Sequence, residues 1–306
     1  MPPHATPSRT AYILAYAAIY LIWGSTYLGI RVAVETMPPF LMAGMRFGIA
    51  GVLLFLVLKL RGADWPTRLQ WRDQGIVGIF LLLGGNAMVT WSEQRVTSGV
   101  ACLIAGASPL MVVLLDWVRP GGRRPTLILV AGVAVGIAGI ALLLGPGAIP
   151  AGYRPPLGSL LALFVASTSW WIGSFYSKHA TSGTPLLLAS SIQMLVGSAC
   201  ILLLGLFLGE GRDLHLAAVS PVSWTAFAYL TVVGSIIVFP VYAWLLEHSS
   251  TAMVSTYAYV NPVVAVFLGW ALLGEPLNPR ILLAVAVIVG GVAIITAGRS
   301  RGETAG

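Results

Sequence analysis

PPFLMAGMRFGIAGVLLFLVLKL, running from Pro38 to Leu60, is apolar almost throughout and carries no charge except Arg46 until it reaches Lys59. About 20 apolar residues in a row are what a helix needs to cross the hydrocarbon core of a bilayer. Such a segment is helical there because lipid offers no partner to its backbone N–H and C=O groups. Arg46 is the anomaly. It lies seven residues past Pro39, which is about 10 Å along a helix.

The rest of the chain has the same character. Of 306 residues, 58% are hydrophobic and 9% charged, against roughly 25% charged in a soluble domain. Ten apolar runs follow one another, at about 11–33, 39–60, 74–92, 97–118, 125–145, 157–178, 185–208, 222–246, 251–272 and 279–298. The expected fold class is therefore all-α integral membrane, with ten transmembrane helices. The first run, Ala11 to Ile30, is longer than the roughly 7–15 residues of a signal-peptide core and is read as a span.

The net charge of +7 does not point to nucleic acid, because the basic residues sit mostly in short loops between apolar runs. They set orientation instead. Eleven (Arg9, Lys59, Arg61, Arg68, Arg72, Arg119, Arg123, Arg124, Lys178, Arg299, Arg301) fall on one side and five (Arg31, Arg95, Arg154, Arg212, Arg280) on the other. That bias places both termini in the cytoplasm of a plasma-membrane protein. Cys102 and Cys200 lie within apolar runs and form no CxxC pair, and His4, His179, His215 and His248 are scattered near segment ends. No metal or other cofactor is expected.

An internal repeat organises the runs. ASPLMVV (Ala107–Val113) answers VNPVVAV (Val260–Val266), and a shift of 153 carries Pro109 onto Pro262, Trp91 onto Trp244 and Gln94 onto Glu247. GSTY at Gly24 answers GSFY at Gly173. Two copies of five helices, 11–145 and 157–298, follow. Five is odd, so the second copy enters the membrane upside down, as an inverted repeat.

IWGSTYLGIRVAVETMPPFLMAGMRF (Ile22–Phe47), SPLMVVLL (Ser108–Leu115) and STYAYVNPVVAVFLGWALLGEPL (Ser255–Leu277) carry a resemblance. With the two five-helix halves, they make the chain similar to the EamA branch of the drug/metabolite transporter superfamily over about residues 11–298. The resemblance implies export of small metabolites, amino acids or related compounds and drugs among them; the partners expected are a small-molecule substrate and the lipid bilayer, with no nucleic acid. That family carries a Glu between the fourth and fifth helices of each half. Glu275 supplies it in the second half, whereas Gly122 and Arg123 stand there in the first.

Several residues carry functional expectations. Pro109 and Pro262 lie deep in spans, where each frees a carbonyl one turn back and allows a hinge, although Pro is common in membrane helices anyway. Asn261 stands beside Pro262. Trp65, Trp71, Trp117, Trp224, Trp244 and Trp270 lie near span ends, as interface anchors do. Trp23, Trp170 and Trp171 lie mid-span, followed by Ser25 and Tyr27 in one half and Ser174 and Tyr176 in the other. These repeat-related aromatic and hydroxyl clusters either face each other around a pocket for an amphipathic solute or simply pack the bundle. Asn86, Tyr257 and Tyr259 are further candidates.

Three readings of Arg46 stand side by side: pairing with Glu35 or Glu93, a cation on the cavity wall for a substrate carboxylate, or snorkelling to headgroups. Ile192 or Gln193 stands near its place in the other half. No carboxylate falls near a midplane, so proton coupling is expected to be weak or indirect, through Glu93, Glu247 or the substrate itself. A carrier with a central cavity accounts for these features. A channel-like facilitator would want a repeated filter motif, and a membrane enzyme would want clustered His, acids or a nucleophile with its base.

Overall fold

The computed structural model describes residues 7–106, 126–144, 155–180, 182–249, 251–254, 257–275 and 277–303. Ten helices are used below: α1 (Arg9–Ala33), α2 (Pro39–Leu60), α3 (Arg68–Ser92), α4 (Ser98–Gly106), α5 (Leu127–Leu144), α6 (Leu157–His179), α7 (Leu186–Phe207), α8 (Pro221–His248), α9 (Tyr257–Leu273) and α10 (Pro279–Glu303). Six of them, α1, α2, α3, α6, α7 and α8, have the length and apolar composition to cross a membrane. Shorter apolar stretches lie within α5, α9 and α10. α4 reaches the edge of the described residues, and Pro109 and the Gly122–Arg123 pair lie outside them.

Local chemistry sets the helix ends. α2 starts at Pro39 and stops at Gly62, whose φ of +83° suits a residue without Cβ. α3 begins at Arg68, six residues before the apolar run that marks its span, because Thr67 and Gln70 form a capping box. A short helix, Thr251–Val254, is described ahead of α9. Ser220 accepts from the Ser223 N–H and caps α8.

The exterior is apolar. Leu53, Leu56 and Val57 on α2, and Leu203, Leu206 and Phe207 on α7, are all exposed, a face too greasy for water. Polar side chains such as Arg46, Ser190, Gln193 and Asn261 are buried. α2 packs along α7, α4 along α9 and α5 along α10, while α1 packs on α8 and α3 on α6. Glycines set the closest approaches. A Cβ on Gly291 of α10 would stand 2.7 Å from the Gly136 nitrogen of α5.

Three helices change pitch to the wider π form: α1 at Ala18–Ile22, α3 at Ile79–Ala87 and α8 at Val232–Ile237. The shift of 153 that carries Pro109 onto Pro262 also carries Ile79 onto Val232. Two acidic side chains tie loops to helix starts. Glu210 accepts from the Phe40 and Leu41 N–H groups of α2 at 3.3 and 2.8 Å. Glu275 accepts from the Ser98 N–H and hydroxyl, both at 2.9 Å, and from the Gly99 N–H at 3.3 Å, at the start of α4. The second half's Glu thus caps a helix of the first.

Candidate functional site

A cavity opens where α1, α2, α3, α4, α6, α8 and α9 meet. It offers about 90 Å³ to the centres of water molecules, several times the ~10–15 Å³ that one water occupies on that measure. Most of the residues singled out in the sequence line it: Trp23 and Tyr27 of α1, Arg46 of α2, Asn86 of α3, Trp170 of α6, and Tyr257 and Asn261 of α9. The π segments supply part of the wall, through Leu82, Gly85 and Asn86 of α3 and Gly234 of α8. Such pitch changes release backbone groups and often mark functional sites.

One wall is aromatic. Trp23 meets Trp170 edge-on at 5.5 Å between centroids and Tyr257 at 5.4 Å. Tyr242 lies 4.7 Å from Trp23 and joins the cluster through polar contacts as well. It accepts from Trp170 Nε1 at 3.2 Å and pairs with the Ser174 hydroxyl at 2.9 Å. The Trp23 and Trp170 clusters of the two halves therefore meet at the cavity. Tyr242 is the hub that sequence reasoning missed. It carries no repeat motif, and only its place on α8 brings it there.

Arg46 lines the same cavity and is 2% exposed. Its Nε donates to Ser235 Oγ at 2.8 Å, and its guanidinium lies 4.5 Å over the Phe47 ring. Gly234 makes room for it, since a Cβ there would stand 3.1 Å from Arg46 Nη2. Among the described residues Arg46 Nη1 has no hydrogen-bond partner. Among the described residues no ion pair joins it to Glu35 or Glu93; the pair that forms is Arg72 with Asp73, at 2.8 Å.

Asn261 is 4% exposed. With its nitrogen turned toward α1, it donates to the Tyr20 and Ile19 carbonyls at 2.9 and 3.1 Å, inside the π segment of α1. It therefore satisfies backbone that the pitch change leaves open. Pro262 lies within α9 just beyond it.

The remaining candidates do not line the cavity. Ser25 donates to the Ile22 carbonyl at 2.7 Å and is hydrogen-bonded to the Tyr229 hydroxyl at 2.6 Å. Ser174 donates to the Trp170 carbonyl at 2.8 Å as well as meeting Tyr242. Tyr176 donates to Asp73 Oδ1 at 3.3 Å, and Trp171 Nε1 is buried without a partner, away from the cavity. Gln193 is also elsewhere: its amide donates to Gln74 Oε1 on α3 at 2.7 Å. The Tyr259 side chain lies outside what is described. Thr26, Phe47, Val89, Cys102, Ser167 and Phe239 complete much of the lining, and small or apolar residues of this kind carry no motif by which to find them.

Comparison with known proteins bears on what the cavity serves. The sequence profile described as the EamA-like transporter family matches residues 10–145 and again 157–297. The chain is 38% identical over 287 residues to YedA, an uncharacterized inner membrane transporter of Escherichia coli (strain K12), covering 93% of this chain and 90% of that protein. It is 25% identical to YoaV, an uncharacterized transporter of Bacillus subtilis (strain 168), over 94% and 98% of the two chains. Identity to protein PecM of Dickeya dadantii (strain 3937) is 28%, over 90% and 88%. A solved crystal structure 23% identical in sequence superposes with a TM-score of 0.66, covering 95% of this chain and 99% of the other. At that identity the likeness speaks for the fold alone.

Proposed function

The chain belongs to the EamA-like transporter family, a family of multi-pass membrane transporters, and we propose that it is a secondary carrier exporting small amphipathic metabolites that bear a carboxylate. Amino acids, related compounds and drugs of that shape are the class. The observation that carries this reading is that Arg46, buried and with Nη1 unpartnered among the described residues, lines the same cavity as Trp23, Trp170 and Tyr257. A guanidinium matches a carboxylate by charge-assisted hydrogen bonding. The rings take an apolar side chain, and the polar side chains of the wall, Thr26, Asn86 and Ser167 among them, fix its orientation.

Alternating access is the proposed mechanism, with two inverted halves rocking about the cavity. The packing supports it. A two-fold exchange of α1 with α6, α2 with α7, α3 with α8, α4 with α9 and α5 with α10 maps the observed helix pairs onto one another. It sends the α1–α8 pair to α6–α3, and it relates the π segments of α3 and α8. Pro109 and Pro262 are the proposed hinges. The excess of basic residues on one face supports cytoplasmic termini.

Counterflow tests the carrier. Proteoliposomes preloaded with unlabelled phenylalanine, at the expense of an equal outward gradient, should transiently accumulate labelled phenylalanine above the outside level. Flux that only equilibrates and does not saturate would make the protein a channel-like facilitator instead.

A further inference from the structure

Glu93 follows α3 by one residue and stands one turn past Val89, which lines the cavity. It is fully buried at 0% exposure, and among the described residues neither carboxyl oxygen has a hydrogen-bond partner. Among the described residues none of the surrounding charges bonds the carboxyl group. Arg31 of α1 turns its Nη1 to the backbone carbonyls of Glu93 and Gln94, at 2.7 and 3.2 Å, and not to the carboxyl group. Arg46 of α2 donates to Ser235. Glu275, beyond α9, holds Ser98 and Gly99 and adds a like charge. Tyr27 of α1 and Cys102 of α4 are within electrostatic reach of Glu93. From α6 comes Ser159, whose carbonyl accepts from Ser92.

An ionised carboxylate, stripped of water and given no donor, is driven to take up a proton. Burial first, and Glu275 next, push the Glu93 carboxyl well above the usual carboxylate range, and Arg31 and Arg46 pull it back by less. In a transporter, a buried acid beside the solute cavity that neutralises when closed and ionises when opened links proton movement to the conformational cycle.

We propose that Glu93 is a proton-binding site, protonated in the conformation described here and losing its proton to water when the carrier opens around it. The O–H bond breaks, the electron pair stays on the carboxylate and the proton passes to solvent; closure reverses each step. The place of this proton in a transport cycle rests on the carrier reading, whereas protonation in the closed state does not.

Infrared spectra of the purified protein in detergent test it without any substrate. At neutral pH the wild type should show a carboxylic-acid C=O band that is missing in Glu93→Gln and displaced in Glu93→Asp. Thermal melting gives a second readout. The folded state binds this proton at pH values where the unfolded chain, near a pKa of about 4.3, has lost it. Stability from this group is therefore full at acid pH and falls as pH rises toward the raised folded value. The wild-type melting temperature should decline over that window, and Glu93→Gln should decline less and stand higher at the alkaline end. Identical bands and parallel pH profiles in wild type and both variants would overturn the proposal. So would a wild-type band that is already absent at neutral pH.

Discussion

Arg46 on α2 and Gln193 on α7 are each the eighth residue after a capping proline, Pro38 and Pro185. Both are buried, at 2% and 3% exposure. Their fates differ. Gln193 spends its amide on Gln74 and fastens α7 to α3. Arg46 fastens α2 to α8 with Nε alone and keeps Nη1 uncommitted at the cavity. One half has thus turned a deep polar residue into interhelical glue. The other has kept a charge in reserve. The cavity lining consequently combines one buried cation with several aromatic rings, which suits a solute with one anionic and one apolar end.

Substitutions can break that comparison, and the largest effect is expected where packing is tightest. A Cβ on Gly78 would overlap the Gln193 backbone carbonyl, which cannot swing aside. Gly78→Ala should cost about 3 kcal/mol, at the upper end for overpacking, and lower the melting point sharply. Gly234→Ala meets the end of the Arg46 side chain, which can shift, so it should keep the fold. Melting curves of the two variants in one detergent would check the contrast, and equal losses would refute it.

Gln193→Leu comes next. It leaves the Gln74 amide oxygen without its 2.7 Å donor, and should cost about 1–2 kcal/mol. Because Gln193 does not line the cavity, ligand-induced stabilisation should be unchanged. Tyr242→Phe should be smallest. It removes the contacts to Trp170 Nε1 and Ser174 but keeps the ring, for about 1 kcal/mol at the modest worth of hydrogen bonds inside membrane helices. A few-fold weakening of aromatic ligands should accompany it, read as a smaller ligand-induced shift.

Much of this was legible in the chain. Apolar length announces the long helices, and mid-span Trp23, Trp170 and Arg46 stand out because lipid gives them no natural place. Hydroxyl residues were harder to place. Ser25 and Ser174 follow their tryptophans closely, yet helical geometry turns them to Tyr229 and Tyr242 on α8. Ser25, two residues past Trp23, lies on another face, whereas Ser174, four past Trp170, shares its face and is taken up by the same Tyr242 hydroxyl; motif spacing alone does not reveal which of them meets the cavity. The π segments have no compositional signature, and they rotate the register of everything beyond them. The Glu275 cap on α4 joins residues 177 apart, which no local pattern displays.

The central claim is that Arg46 holds a substrate carboxylate, and thermal stability of the purified protein against a panel of metabolites, in wild type and Arg46→Gln, tests it most directly. A ligand that binds only the folded state raises the melting point by mass action. A charge-assisted contact is worth about 1.5–3 kcal/mol, roughly 10- to 100-fold in affinity. The account predicts that phenylalanine and other carboxylate-bearing amphipathic solutes stabilise the wild type and largely fail to stabilise Arg46→Gln, while uncharged analogues treat the two alike. Equal stabilisation of both proteins by the carboxylates would contradict it and leave Arg46 as a strut between α2 and α8.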